Sequence, residues 1–208
     1  MGMYLNPGAN KFRMSLNSEI YVDKTGMLAF LNRVLCTDQR FVCVSRPRRF
    51  GKTIAANMVS AYYDRTVDGA QLFQGLKISA DASFGQYRNQ YDVLHLNMQE
   101  FLSRTQDMQG LLDRLRRIVL RDLLRAYPDI DYFDRADLVE TLNDIYASTA
   151  RPFVIIIDEW DCVFRENRNY KAAQEQYLDF LRDFLKDRSY VALAYMTGIL
   201  PIKKYGTH

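Results

Sequence analysis

Two short stretches carry residue types whose spacing suits phosphate chemistry. The first is Ser45-Arg46-Pro47-Arg48-Arg49-Phe50-Gly51-Lys52-Thr53. A phosphate-binding loop reads G-x-x-x-x-G-K-[ST]. Gly51, Lys52 and Thr53 fit that pattern, but Arg46 stands where its first glycine would be. The tripeptide alone recurs by chance in roughly one chain in ten of this length, so its surroundings must carry the reading. The preceding run Arg40–Ser45 is short, apolar and β-branched, as a buried strand would be. The following run Ile54–Asp64 is helical by the spacing of Ile54, Met58, Ala61 and Tyr62. Strand, loop and helix in that order are what a phosphate-binding loop requires.

The chemistry follows from those positions. A polyphosphate needs several N–H donors in a small concavity, together with positive charge. A helix N-terminus offers unpaired N–H groups and the positive end of its dipole. The amides of Arg49, Phe50, Gly51, Lys52, Thr53 and Ile54 are therefore the candidate phosphate contacts. Gly51 lets the backbone come close where a Cβ would intrude. Lys52 would neutralise β- and γ-phosphate charge, and the Thr53 hydroxyl would ligate Mg²⁺. Pro47 lacks an N–H, but it lies in the half of the loop where that loss matters less. Arg46, Arg48 and Arg49 raise the local positive potential, or else form a solvated face or grip an acidic partner.

The second stretch is Val154-Ile155-Ile156-Ile157-Asp158-Glu159. A buried strand ending in two carboxylates can present the first, Asp158, to Mg²⁺ and the second, Glu159, to a water. In sheets with a strand between the two motifs, the loop strand neighbours the strand that follows the carboxylates. That strand ends in Met196-Thr197. Thr197 is then a candidate third catalytic group, positioning water near a γ-phosphate, or simply a turn residue before Gly198.

These residues need a scaffold, and the periodicities supply one. Asp92–Met98 alternates as a strand, Pro152–Asp158 is a third strand and the run from Tyr190 a fourth. Helical spacing covers Asp23–Leu35, with Asp23 as its cap, and Gln109–Tyr127, Arg135–Ser148 and Lys171–Asp187. Strands alternating with helices imply an α/β, P-loop NTPase three-layer sandwich with a mainly parallel sheet. Residues 1–20 read as a polar segment with a turn at Asn6-Pro7-Gly8. We expect one domain over 1–208, an N-terminal segment and helix over 1–35 and a nucleotide-binding core over 36–208. The core is expected to be truncated after its fourth strand, which would leave the loop strand at a sheet edge.

The bulk numbers exclude several classes. Apolar residues at 48% and charged residues at 25% argue against disorder. A net charge of +3 does not by itself predict a nucleic-acid partner. Three scattered cysteines suit a reducing cytosol, and no apolar run approaches a bilayer span, so a cytoplasmic location without membrane attachment is expected. Arg114, Arg117, Arg121 and Arg125 form a basic stripe interrupted by Asp113 and Asp122, which favours a solvated helix face over a nucleic-acid contact. His95, on a strand, is expected to be a hydrogen-bonded core residue. Tyr21 and Val22 either lie against a purine or merely precede a helix.

Taken in order, "YVDKT", "SRPRRFGKT", "IIIDEWD" and "MTGILPIKK" resemble the AAA-ATPase-like family of bacterial and archaeal proteins. The resemblance spans nearly the whole chain and makes the absent first glycine a family trait. It departs at Trp160, where members usually carry tyrosine. It implies Walker A roles for Lys52 and Thr53, a Mg²⁺ role for Asp158 and a general-base role for Glu159, with ATP and Mg²⁺ as ligands. It also implies a frequent C-terminal nuclease-like domain of the PD-(D/E)XK type, hence a nucleic-acid partner for a longer chain. Apart from the resemblance, hydrolysis often needs a trans-acting arginine and a lid, so low activity in isolation and an oligomer are expected. The absence of an Asn-Lys-x-Asp guanine signature leans toward ATP.

Overall fold

The fold is described from a computed structural model covering residues 2–166 and 170–200. Four strands, β1 (Phe41–Ser45), β2 (Asp92–Asn97), β3 (Phe153–Asp158) and β4 (Val191–Gly198), form one sheet in the order β1-β4-β3-β2. All three pairings are parallel. The loop strand β1 therefore pairs with the strand that follows the carboxylates, as the motif order implies. The described helices are α1 (Asn10–Leu16), α2 (Gly26–Val34), α3 (Lys52–Tyr63), α4 (Phe84–Tyr87), α5 (Met98–Leu102), α6 (Met108–Ala126), α7 (Leu138–Thr149), α8 (Cys162–Glu166) and α9 (Lys171–Leu185).

Period-two alternation sends neighbouring strand residues to opposite faces, and two apolar cores result. On one face Val93, Val154, Ile156 and Tyr195 pack with Phe12 of α1, Leu28 and Leu31 of α2 and Val59 and Tyr62 of α3. On the other, Leu94, Leu96, Ile155 and Ile157 pack with Leu111, Leu115 and Leu123 of α6 and Tyr177 and Phe184 of α9. Helices thus cover both faces, the three-layer arrangement read from the alternation of elements.

Three details differ from the sequence reading. β1 is half-exposed rather than buried, and Phe41 is exposed, because β1 has a strand partner on one side only among the described residues. Asp23 does not cap α2. Its carboxylate accepts from the Thr25 N–H and hydroxyl, closing a local turn, and from the Lys77 N–H. The N-terminal segment is also more structured than its polarity suggests. Leu5 bridges Leu94 antiparallel, the Asn6 N–H donates to the Val93 carbonyl, and α1 buries Phe12.

A buried carboxylate fixes the far end of β2. Asp92 is fully buried and accepts from Asn6 Nδ2, Arg65 Nε and the Tyr127 hydroxyl, with Arg151 Nε 3.6 Å away. Such a charge is tolerated because it is both paired and hydrogen-bonded.

Candidate functional site

Parallel pairing puts the C-terminal ends of all four strands on one edge, where ligands of open α/β sheets gather. Ser45 is in register with Gly198, and Asn97 with Asp158. The loop 46–51 leaves that edge from β1. The Arg46 N–H donates to the Gly198 carbonyl at 3.1 Å, and the Ser45 hydroxyl to the Ile199 carbonyl at 2.7 Å. Both contacts anchor the loop to the end of β4.

Beyond Pro47 the loop curls. Arg49 (φ 69°) and Gly51 (φ 74°) are both left-handed. Arg49 bears a strain of about 1 kcal/mol for this, whereas Gly51 bears none. Gly51 is the N-cap of α3 and no side chain caps it. Among the described residues, no amide N–H from Arg48 to Ile54 has an acceptor. The loop is therefore a concavity of unpaired donors at a helix N-terminus, the arrangement that binds anions.

Two lysines shape it. Lys52 is only 7% exposed, and its ammonium donates to the Arg46 and Pro47 carbonyls, each at 3.0 Å. An ammonium has three donors, so a third is left to point elsewhere. Lys24 Nζ donates to the Phe50 carbonyl at 2.7 Å. The "YVDKT" segment thus steadies the loop through Lys24, a contact the sequence reading missed.

Opposite the loop lies the end of β3. Asp158 is 1% exposed, accepts the Thr197 hydroxyl at Oδ1, and has no hydrogen-bond partner at Oδ2. A buried carboxylate oxygen without a partner is costly, and a divalent cation would relieve it. Thr53 and Asp158 line a common cavity of about 340 Å³, which His95 and Asn97 also border. Among the described residues no group of three or more His, Cys, Asp or Glu is gathered to cage a metal. One carboxylate and one hydroxyl nevertheless fit Mg²⁺, which is commonly held by one or two protein groups plus substrate phosphates.

Thr197 is fully buried, and besides Asp158 its oxygen accepts the Glu159 N–H at 3.4 Å. It borders neither the cleft nor this cavity and reaches them through its two neighbours. Glu159 is left-handed (φ 57°), which turns the chain out of the strand, and it borders a cleft shared with the loop. There its carboxylate pairs with Arg165 of α8, a residue the sequence reading passed over.

A cleft of about 620 Å³ runs between the loop and this turn, bordered by Arg48, Arg49, Lys52, Thr53, Glu159 and Arg165. Arg46 is not on its border. A second hollow of about 350 Å³ lies on the other side of the loop, between Tyr21 and Val22 and the side chains of Phe50, Ile54 and Met58. Phe50 borders this apolar hollow rather than the cleft, while Arg49 and Ile54 border both. Burial pushes the Tyr21 phenol up to about 12, so it stays neutral there. Burial holds His95 down at about 4, against the opposing pull of Asp158, so its ring is neutral beside the cavity.

The all-parallel sheet, its strand order and the Gly-Lys-Thr loop between β1 and α3 define a P-loop-like three-layer α/β protein. The family described as Predicted AAA-ATPase matches residues 8–207, and the chain belongs to it. No curated protein and no solved structure matches the chain.

Proposed function

We propose that this chain binds ATP with Mg²⁺ and hydrolyses it, coupling nucleotide state to a partner domain or chain. One observation carries the reading: a run of unpaired amides leads into Thr53, and Thr53 shares a cavity with Asp158, a buried carboxylate that has an unpartnered oxygen. The amides of Arg49 to Ile54 hold the phosphates, and Lys52 neutralises their charge. Thr53 and Asp158 hold the metal, which when bound would neutralise charge building on the phosphate oxygens. Glu159 orients or deprotonates the attacking water. Thr197 acts through others, fixing one oxygen of Asp158 and the backbone of Glu159. The apolar hollow beside Tyr21 and Val22 suits a purine. We further propose a cytoplasmic protein, one domain over 1–208, and assembly into an oligomer. A link to nucleic acid would run through a nuclease-like domain in a longer chain.

A second reading, a nucleotide-gated switch with negligible turnover, is favoured by a single contact. Glu159 is engaged by Arg165 rather than left open to water. Two measurements separate the readings. Mg-ATP affinity is compared between wild type and Lys52→Ala, and steady-state phosphate release between wild type and Glu159→Gln. The ATPase reading predicts binding lost in the first variant and turnover lost in the second. Binding without turnover in wild type supports the switch. Equal affinity in wild type and Lys52→Ala overturns both.

A further inference from the structure

Arg165 lies on α8, six residues beyond Glu159, with its side chain 11% exposed. Its guanidinium is shared between two acids. One terminal nitrogen pairs with Glu159 Oε2, and Nε lies 3.4 Å from Asp161 Oδ1. That Nε–H is buried and makes no hydrogen bond among the described residues. Asp161 in turn is fully buried, and its other oxygen accepts the N–H groups of Ile199 and Leu200 at 2.8 and 2.7 Å. Arg165 therefore touches the proposed base, borders the proposed phosphate cleft, and leans on the acid that holds the chain leaving β4.

We infer that Arg165 reads the terminal phosphate in cis, and that this phosphate competes with Glu159 for its guanidinium. The inference rests on the nucleotide reading above. Several facts support it. A guanidinium keeps its proton at any working pH and matches phosphate in a two-pronged geometry. A terminal phosphate carries more charge than a single carboxylate. The buried Asp161 needs a cation beside it, but it engages only Nε, and the terminal nitrogen on Glu159 is the one at the cleft. While Glu159 is paired, its carboxylate is aimed at Arg165. When Arg165 moves to a terminal phosphate, Glu159 is released toward the cleft. The same movement loosens Arg165 from Asp161, which links the phosphate to residues 199 and 200. ADP lacks the competing group and leaves Glu159 paired.

The test uses the full chain and calorimetric Kd values for a non-hydrolysable ATP analogue and for ADP, each with Mg²⁺. Glu159→Gln removes the competing charge and is expected to tighten the analogue about fivefold, with ADP unchanged. Arg165→Ala is expected to weaken the analogue about tenfold while sparing ADP, and Arg165→Lys to recover part of that loss. In the double variant Glu159→Gln with Arg165→Ala, the tightening disappears. Independent effects that simply multiply, or equal losses for analogue and ADP, would assign Arg165 a structural role and overturn the inference while leaving the nucleotide reading intact. A wild type that binds neither nucleotide removes both. If circular dichroism shows Arg165→Ala unfolded, the same cycle is run with Arg165→Lys, whose single ammonium lacks the two-pronged fork and must shrink the Glu159→Gln gain.

Discussion

Replacing Thr197 with valine changes one hydroxyl into a methyl group at constant shape, at a fully buried strand position. Two contacts disappear: the hydroxyl no longer donates to Asp158, and the Glu159 N–H loses its acceptor. Asp158 already has one oxygen without a partner, so the variant leaves a buried carboxylate with no side-chain donor. A hydrogen bond to a charged group contributes about 1.5–3 kcal/mol, and the contact at 3.4 Å adds less. Valine offsets a few tenths through its strand preference. The net expectation is a loss of about 2 kcal/mol, or roughly 4–8 °C in Tm for a chain of this size. Thermal and urea denaturation without Mg²⁺ measure it. Mg²⁺ with an ATP analogue should stabilise Thr197→Val at least as much in Tm as wild type, because a cation satisfies the same carboxylate. A variant as stable as wild type without ligand would mean that the Thr197–Asp158 contact is not formed, and the reasoning about Asp158 would fall.

Other perturbations test other parts of the structure. Asp92→Asn leaves Arg65 without its carboxylate partner at the end of β2 and is expected to cost about 3 kcal/mol by urea denaturation, with Mg-ATP affinity of the folded fraction unchanged. Gly198→Ala would place a Cβ 2.6 Å from Trp160 Nε1 and 3.0 Å from Asp161 Cγ, so it should cost about 1–3 kcal/mol and shift the tryptophan emission spectrum. His95, held at about 4 in the fold against an ordinary 6.5, takes up its proton first in the unfolded chain. Its stabilising effect is therefore complete above pH 6.5 and lost as pH falls toward 4, by up to about 3 kcal/mol, and His95→Asn should flatten that part of the pH–stability curve. Cys36 is exposed, while burial pushes the thiols of Cys43 and Cys162 up to about 11 and 12. Burial raises the Cys36 thiol as well, so its exposure is what should let a thiol reagent modify it before Cys43, with Cys162 last.

Much of the scaffold could be read from residue patterns, for local reasons. β3 is six buried residues ending in an acid, and α6 and α9 carry apolar stripes long enough to fix their period. α1 escaped notice because it buries a single residue, Phe12. The bridge at Leu5 depends on a non-local partner at Leu94, which periodicity cannot supply. In the candidate site the same division holds. Gly51, Lys52, Thr53 and Asp158 were nominated because backbone chemistry demands those types at those spacings, and the structure gathers them at one edge of the sheet. Arg165 and Lys24 were not, since an arginine on a short helix and a lysine in a turn have no signature until the fold brings them to Glu159 and the Phe50 carbonyl. Asp23 closes a turn rather than capping α2, and an aspartate before a helix can do either, which the sequence does not distinguish.

A crystal structure of the chain with Mg²⁺ and a non-hydrolysable ATP analogue would show directly whether the loop and Asp158 form one nucleotide site. Phosphate oxygens are expected within about 3 Å of the amides of Arg49 to Ile54. A divalent ion is expected to be held by Thr53 Oγ1 and to give Asp158 Oδ2 its missing partner. A nucleotide bound elsewhere, or an ion that leaves Asp158 Oδ2 without a partner, would contradict that single site.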